Sequence, residues 1–133
     1  MADKKKEETI WLDDPAADDL QSAEKYLCLL FLPGYAKQLM QKFKRASTIE
    51  YAAKDLLRAS QTHLLDRDNI EVQSDLKKIK KHKKVSPVLL IRGNGLNGTT
   101  VTIADGYHRI CASWHYDEKM PVACRLVDLP ARH

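Results

Sequence analysis

The hydrophobic period of this chain changes once, and the change limits what it can fold into. From residue 18 to about residue 60 the apolar residues recur at helical spacing. After residue 85 they fall in short runs broken by glycine, asparagine and proline, as strands do. Leu20, Ala23, Leu27, Leu30 and Phe31 mark a first helix that begins near Asp18 or Asp19 and ends at Pro33-Gly34. Ala36, Leu39, Met40 and Phe43 share one face of a second helix over residues 35–46. Ser47 and Glu50 form the pattern of a capping box and predict a third helix, with Ile49, Ala52, Ala53, Leu56 and Leu57 on its apolar face.

Residues 62–72 read as loop or short strand, and Ser74 as the cap of a short helix over 75–81. Val88-Leu89-Leu90-Ile91 is a continuous apolar run, the mark of a strand buried on both faces. A glycine- and asparagine-rich turn separates it from a β-branched strand, Thr99 to Ala104, so the two predict a hairpin. A helix follows from about Gly106 to Tyr116, then a strand from Val122 to Val127. The expectation is a single α/β (α+β) domain over residues 1–133. Residues 1–17 form a partly flexible charged tail, 18–60 a helical subdomain, and 61–133 a small mixed-sheet core carrying a strand–turn–helix site.

Charge is distributed unevenly along this order. Residues 1–34 carry 4 basic and 8 acidic groups, whereas residues 35–133 carry 18 basic and 10 acidic groups. The basic part favours an anionic partner without specifying one. The longest apolar run, Leu27 to Leu32, is too short to span a bilayer, and no signal peptide is read at the N-terminus; the expected location is the cytoplasm. Three cysteines, Cys28, Cys111 and Cys124, make no disulfide framework; Cys28 and Cys124 read as core residues of a reducing compartment, and Cys111 as a core thiol rather than a reactive one. The five histidines lack paired ligand spacing, so no metal site is expected from the protein alone.

The chemistry concentrates at Asp105-Gly106-Tyr107-His108-Arg109. Tyr107, Ile110, Cys111 and Trp114 form the buried stripe of the following helix, which leaves His108 and Arg109 off the stripe in its first turn, with Asp105 as N-cap. A cation at a helix N-terminus is unfavourable by about 0.3–1 kcal/mol unless an anion sits there. Spacing alone leaves two readings. In one, Arg109 pairs with a carboxylate and His108 is solvated. In the other, free amides, Arg109 and His108 converge on an oxyanion while Gly106 lets the backbone approach it.

The stretch from Val85 to Leu129 resembles the ParB/sulfiredoxin superfamily. Ser86-Pro87-Val88 resembles the box that enters the family's strand, Thr102 to Ala112 its signature turn and helix, and Pro121 to Cys124 its returning strand. The resemblance implies a site for nucleotide phosphate, ATP or CTP, with Mg2+ as a companion ion. Gly106, Tyr107, His108, Arg109 and Ser86 would bind phosphate, Asp105 and His108 would be the catalytic candidates, and Lys83 and Lys84 auxiliary contacts. Tyr107 stands where sulfiredoxins carry a cysteine nucleophile, and a phenol of pKa about 10 cannot replace it. His108 stands where ParB proteins carry an arginine, and the histidine of the related free-serine kinases lies one place earlier. The implied function is therefore a phosphotransferase or nucleotide hydrolase that is not a cysteine-based sulfiredoxin. The alternative is a non-enzymatic nucleotide-sensing or adaptor module whose helical half meets a protein partner.

Two further patterns remain. Gly93-Asn94-Gly95-Leu96-Asn97-Gly98 fits G-x-G-x-x-G, but a strand follows where dinucleotide binding needs a helix, so it reads as a hairpin turn. Lys77 to Lys84 holds six lysines in eight residues. It reads as a solvated face or as a weak, non-specific DNA contact through phosphates.

Overall fold

The computed structural model describes residues 10–130, and these build a mixed α+β fold with five helices and one four-stranded sheet. The helices are α1 (Ala17–Leu30), α2 (Pro33–Arg45), α3 (Ala53–Ser60), α4 (Ile70–Lys80) and α5 (Tyr107–Tyr116). The strands are β1 (Ile49–Ala52), β2 (Val88–Ile91), β3 (Thr102–Asp105) and β4 (Pro121–Val127), in the sheet order β1-β4-β2-β3. The central pair, β2 and β4, is parallel; the edge strands β1 and β3 are antiparallel to their neighbours.

Helices cover both faces of the sheet. On one face Ala23 and Leu27 of α1 and Leu39, Met40 and Phe43 of α2 pack on Leu89, Ile91, Ala104 and Val127. On the other, Leu56 and Leu57 of α3, Leu76 and Ile79 of α4 and Ile110 and Cys111 of α5 pack on Val88, Leu90, Val122 and Cys124. Coverage on both faces explains why β2 is apolar at every position and buried throughout.

Several local signals act as read. Asp18 and Asp19 lie in the first turn of α1, and Lys42, Lys44 and Arg45 in the last turn of α2, each sign matching the helix dipole. Pro33 follows the end of α1, as read, and also opens α2 two residues before the expected start at 35; its missing N–H costs nothing there. The glycine-rich turn is a hairpin connection bridged at Asn94 and Thr99.

Others differ. The helix expected from Ser47 begins only at Ala53; Ile49 to Ala52 instead pairs with β4, Ile49 opposite Cys124 and Ala52 opposite Pro121. The Ser47–Glu50 capping box therefore does not form. Residues on both sides of position 60 thus contribute to one sheet. The helix placed at 75–81 starts five residues earlier, at Ile70, because Asn69 rather than Ser74 caps it: Asn69 Oδ1 accepts from the Glu71 and Val72 amides, each at 3.0 Å. Strand β3 covers Thr102 to Asp105 rather than 99–104. Cys28, expected in the core, is exposed, while Cys111 and Cys124 are buried as read. Of the charged tail, residues 1–9 lie outside the described residues. Ile10 and Trp11 belong to the core; Trp11 is bridged to Val85, and its indole N–H donates to the Pro121 carbonyl at 3.2 Å.

One buried arginine ties these early residues to the sheet. Arg125 on β4 donates to the carbonyls of Phe43, Lys44 and Asp13, to Thr48 Oγ1 and to Asp14 Oδ1. No helix among the described residues is long and apolar enough to cross a membrane.

Candidate functional site at the β3–α5 turn

Strand β3 reaches the site through a register shift. Leu90 pairs with Ile103 but Leu89 pairs with Asp105, so one extra residue, Ala104, stands in β3. Asp105 thereby falls opposite Leu89, whose side chain belongs to the α1–α2 face. Gly106 follows with φ 107°, and a Cβ there would lie 2.8 Å from both Val88 Cβ and Arg109 Nη2. Only glycine meets both conditions without strain. Gly106, not Asp105, occupies the N-cap position of α5, and no side chain caps the helix. The expected capping role of Asp105 is replaced by an ion pair with Arg109, because Asp105 is the last residue of the strand and its carboxylate reaches the guanidinium one helical turn away.

Arg109 is the centre of the cluster. Its Nη2 lies 2.8 Å from Asp105 Oδ2 and its Nη1 3.1 Å from Asp19 Oδ2 on α1, while Nε is buried without a partner among the described residues. Its side chain is 13% exposed and paired with two carboxylates, so it is not marginal to packing, as its off-stripe position suggested. The carboxylate-paired reading of Arg109 describes this arrangement. His108 Nδ1 lies 3.0 Å from Glu71 Oε1 on α4 rather than being solvated alone. Tyr107 donates its hydroxyl to the His63 carbonyl, and burial raises its pKa.

Two clefts meet at this turn. The larger, about 490 Å³, is lined by the hydroxyl-bearing Ser22, Ser60, Thr62, Thr100 and Thr102 and by Asp105, Gly106, Tyr107 and His108. The smaller, about 230 Å³, is lined by Glu71, Ser74 and Asp75 of α4 with Asp105, Gly106, His108 and Arg109. Burial raises the Asp75 carboxyl above its ordinary value, and the charges of Arg109, Lys78 and His108 oppose that shift. Burial also raises Asp105; the charge and hydrogen bond of Arg109 oppose the rise, and Asp19 and Asp75 add to it. A carboxyl held above its usual range is a better proton acceptor from an alcohol or water than an ordinary one. Among the described residues no group of three or more His, Cys, Asp or Glu is placed to hold a metal ion.

The structure therefore brings Asp105, Gly106, Tyr107, His108 and Arg109 together and leaves the other expected contacts apart. Ser86 is buried, and its Oγ accepts the Ala16 amide at 2.9 Å. It lines neither cleft of the turn. Lys83 lines a separate cleft on α4, and Lys84 is exposed outside both clefts of the turn. Asp19, Glu71 and Asp75 were not singled out in the sequence. Their signal was present for two of them: with the α4 cap at Asn69, Glu71, Ser74 and Asp75 fall at i, i+3 and i+4 on one face. Comparison of the chain with protein-family models, curated proteins and solved structures finds no match.

Proposed function

We propose that the protein binds a nucleotide, ATP or CTP, with its phosphates at the β3–α5 turn, and acts as a phosphotransferase or nucleotide hydrolase. The observation that carries this reading is an uncapped helix start, preceded by a glycine with no room for a side chain, opening on a hydroxyl-lined cleft of about 490 Å³. Unsatisfied amides and the helix dipole favour a phosphate there. The hydroxyls suit ribose and base edges. The resemblance of Gly106, His108 and Arg109 to the ParB/sulfiredoxin turn supports the same assignment.

In this reading His108 faces the phosphates from the first turn of α5. Arg109 sets the direction of Asp105 and Asp19 and exchanges a carboxylate for a phosphate when the ligand arrives. Asp105 or Asp75, raised by burial, takes the proton of the attacking hydroxyl. Mg2+, carried in on the nucleotide, would offset the carboxylates that outnumber the cations here.

A thermal-shift screen of all ribonucleotides, with and without Mg2+, tests binding. A ligand at a hundred times its dissociation constant stabilises by about 2.7 kcal/mol. No shift with any ribonucleotide at millimolar concentration removes the reading, and so does an undiminished shift in both Gly106→Ala and His108→Ala. Labelled product from ATP or CTP marks an enzyme. Binding without turnover marks the second reading, a nucleotide-sensing adaptor. A surface at the α1–α2 junction favours that reading: Leu29 and Leu32 are 83% and 81% exposed, beside an apolar cleft formed by Leu30, Phe31, Tyr35 and Leu129.

A further inference from the structure

We infer that the C-terminal half of α4 and the turn after it form a second anion site, which holds the phosphodiester backbone of nucleic acid without reading its sequence. The run of lysines in the sequence is not spread evenly around α4. Lys77, Lys78 and Lys81 stand at i, i+1 and i+4 on one side, with Gln73 and Ser74 a turn earlier. His82 then adopts φ 58°, a left-handed conformation that reverses the chain. The Lys83 amide closes the reversal by donating to the Lys78 carbonyl at 2.9 Å. This closing turn brings Lys83 back beside the helix, so that Lys77, Lys78, Lys81 and Lys83 line one open cleft of about 340 Å³. Four ammonium groups are gathered where an extended chain would have dispersed them.

Among the described residues no ion pair involves Lys77, Lys78, Lys81 or Lys83. Lys78 also acts electrostatically on Asp75, yet four like charges gathered in one cleft without an ion pair are unfavourable for the protein alone and favourable once a polyanion enters. The charge of the partner follows from this, and its chemistry from the spacing. Lysines four apart on a helix are separated by about 6 Å along its axis, a separation that suits successive charges on a regular polymer. No aromatic side chain lines the cleft, so bases do not stack there. Ammonium contacts to phosphate position a duplex without specifying its sequence.

The cleft is separate from the turn site but adjoins it, since Ser74 lines both it and the smaller cleft beside Arg109. The inference does not depend on nucleotide binding, and the two fail separately.

The test titrates the full chain with a fluorescein-labelled mixed-sequence duplex over a series of salt concentrations. A groove variant carries Lys77→Gln, Lys81→Gln and Lys83→Gln. A control variant of equal charge carries Lys25→Gln, Lys44→Gln and Lys119→Gln. All six positions are exposed, and melting temperatures check that both variants fold. Each phosphate contact contributes about 0.9 to the slope of log affinity against log salt. The groove variant is expected to lose at least about tenfold in affinity and to show a slope shallower by about 2 to 3, while the control stays within about twofold of the parent. Equal losses in the two variants overturn the site and leave only net charge. Displacement of the duplex by poly-glutamate at equal charge concentration overturns the phosphate assignment in favour of an acidic protein partner.

Discussion

Arg125 and Arg109 are both largely withdrawn from solvent, at 8% and 13% side-chain exposure, and both join distant parts of the chain to the sheet. Their partners differ in kind. Arg125 donates to three backbone carbonyls, a threonine hydroxyl and one well-exposed carboxylate, so most of its acceptors are indifferent to pH and cannot leave without unfolding. Arg109 is held by two carboxylates, Asp19 and Asp105, and its Nε has no acceptor among the described residues. The Arg125 region is built as a clasp. The Arg109 region is built from groups that can take up a proton or exchange one anion for another, as a binding site requires.

The largest expected effect is on the clasp. Arg125→Ala strands three carbonyls and detaches residues 13–14 and the end of α2 from β4; a loss of about 3–5 kcal/mol in urea unfolding is expected. A loss below about 1 kcal/mol would mean that Arg125 is not a clasp.

Arg109→Ala should cost less, about 2–3 kcal/mol at neutral pH, by leaving Asp19 and Asp105 without their cation. It should also behave differently with acid. As Asp105, raised by burial, protonates in acid, its share of the cost disappears, whereas the cost of Arg125→Ala persists. Unfolding curves at neutral and acidic pH test this, and parallel pH profiles for the two variants would break the comparison.

A smaller effect sharpens it. Burial raises Asp75 above its ordinary carboxyl value of 3.8, so the folded chain binds this proton more tightly than the unfolded chain. Stability is then lost as pH rises from 3.8 through the raised value. Asp75→Asn removes that loss. Its melting temperature should exceed the parent's at pH 7, with the gain shrinking toward acid. A fall in melting temperature at pH 7 would show that the Asp75 carboxylate is held by its neighbours more strongly than burial opposes it.

The smallest effect lies away from both arginines. Cys28→Ser should change stability by less than about 0.5 kcal/mol, since Cys28 is exposed on α1. In the native protein a thiol reagent should modify Cys28 promptly and spare Cys111 and Cys124. Burial raises the Cys111 thiol and pushes Cys124, beside the clasp, up to about 12. Under mild destabilisation Cys111 should react before Cys124 if the Arg109 side opens first.

The two regions were also unequally legible in the sequence. The turn itself was readable because its signals are local: a β-branched run, a glycine and a helical stripe within fifteen residues. The partners of Arg109 were not. Asp19 lies 90 positions away, and its place in the first turn of α1 already accounted for its charge. The clasp gave no local signal either, since Arg125 bonds to residues 77 to 112 positions distant, mostly through carbonyls that every residue possesses. Strand β1 was read as helix because Ile49, Ala52 and Ala53 satisfy a helical period over a few residues, and an edge strand takes its order from pairing with β4 across the chain. The cap of α4 was missed because Asn69 and Ser74 are both good caps, and local propensity does not choose between them.

The extra residue in β3 means that the sheet and the site are counted in different frames. Up to Ile103 the strand keeps step with β2; from Ala104 onward the chain is one residue out of phase, and Asp105 owes its side of the sheet to that slip. Change of residue type in β3 and change of residue number are therefore separable kinds of variation. A strand that kept Ala104 in step opposite Leu89 would carry Asp105 on to Val88 and the opposite face, away from Asp19, whereas deleting Ala104 would give a regular ladder with Asp105 still opposite Leu89. The slip sets the face on which Asp105 emerges, and the glycine after it sets the turn that follows.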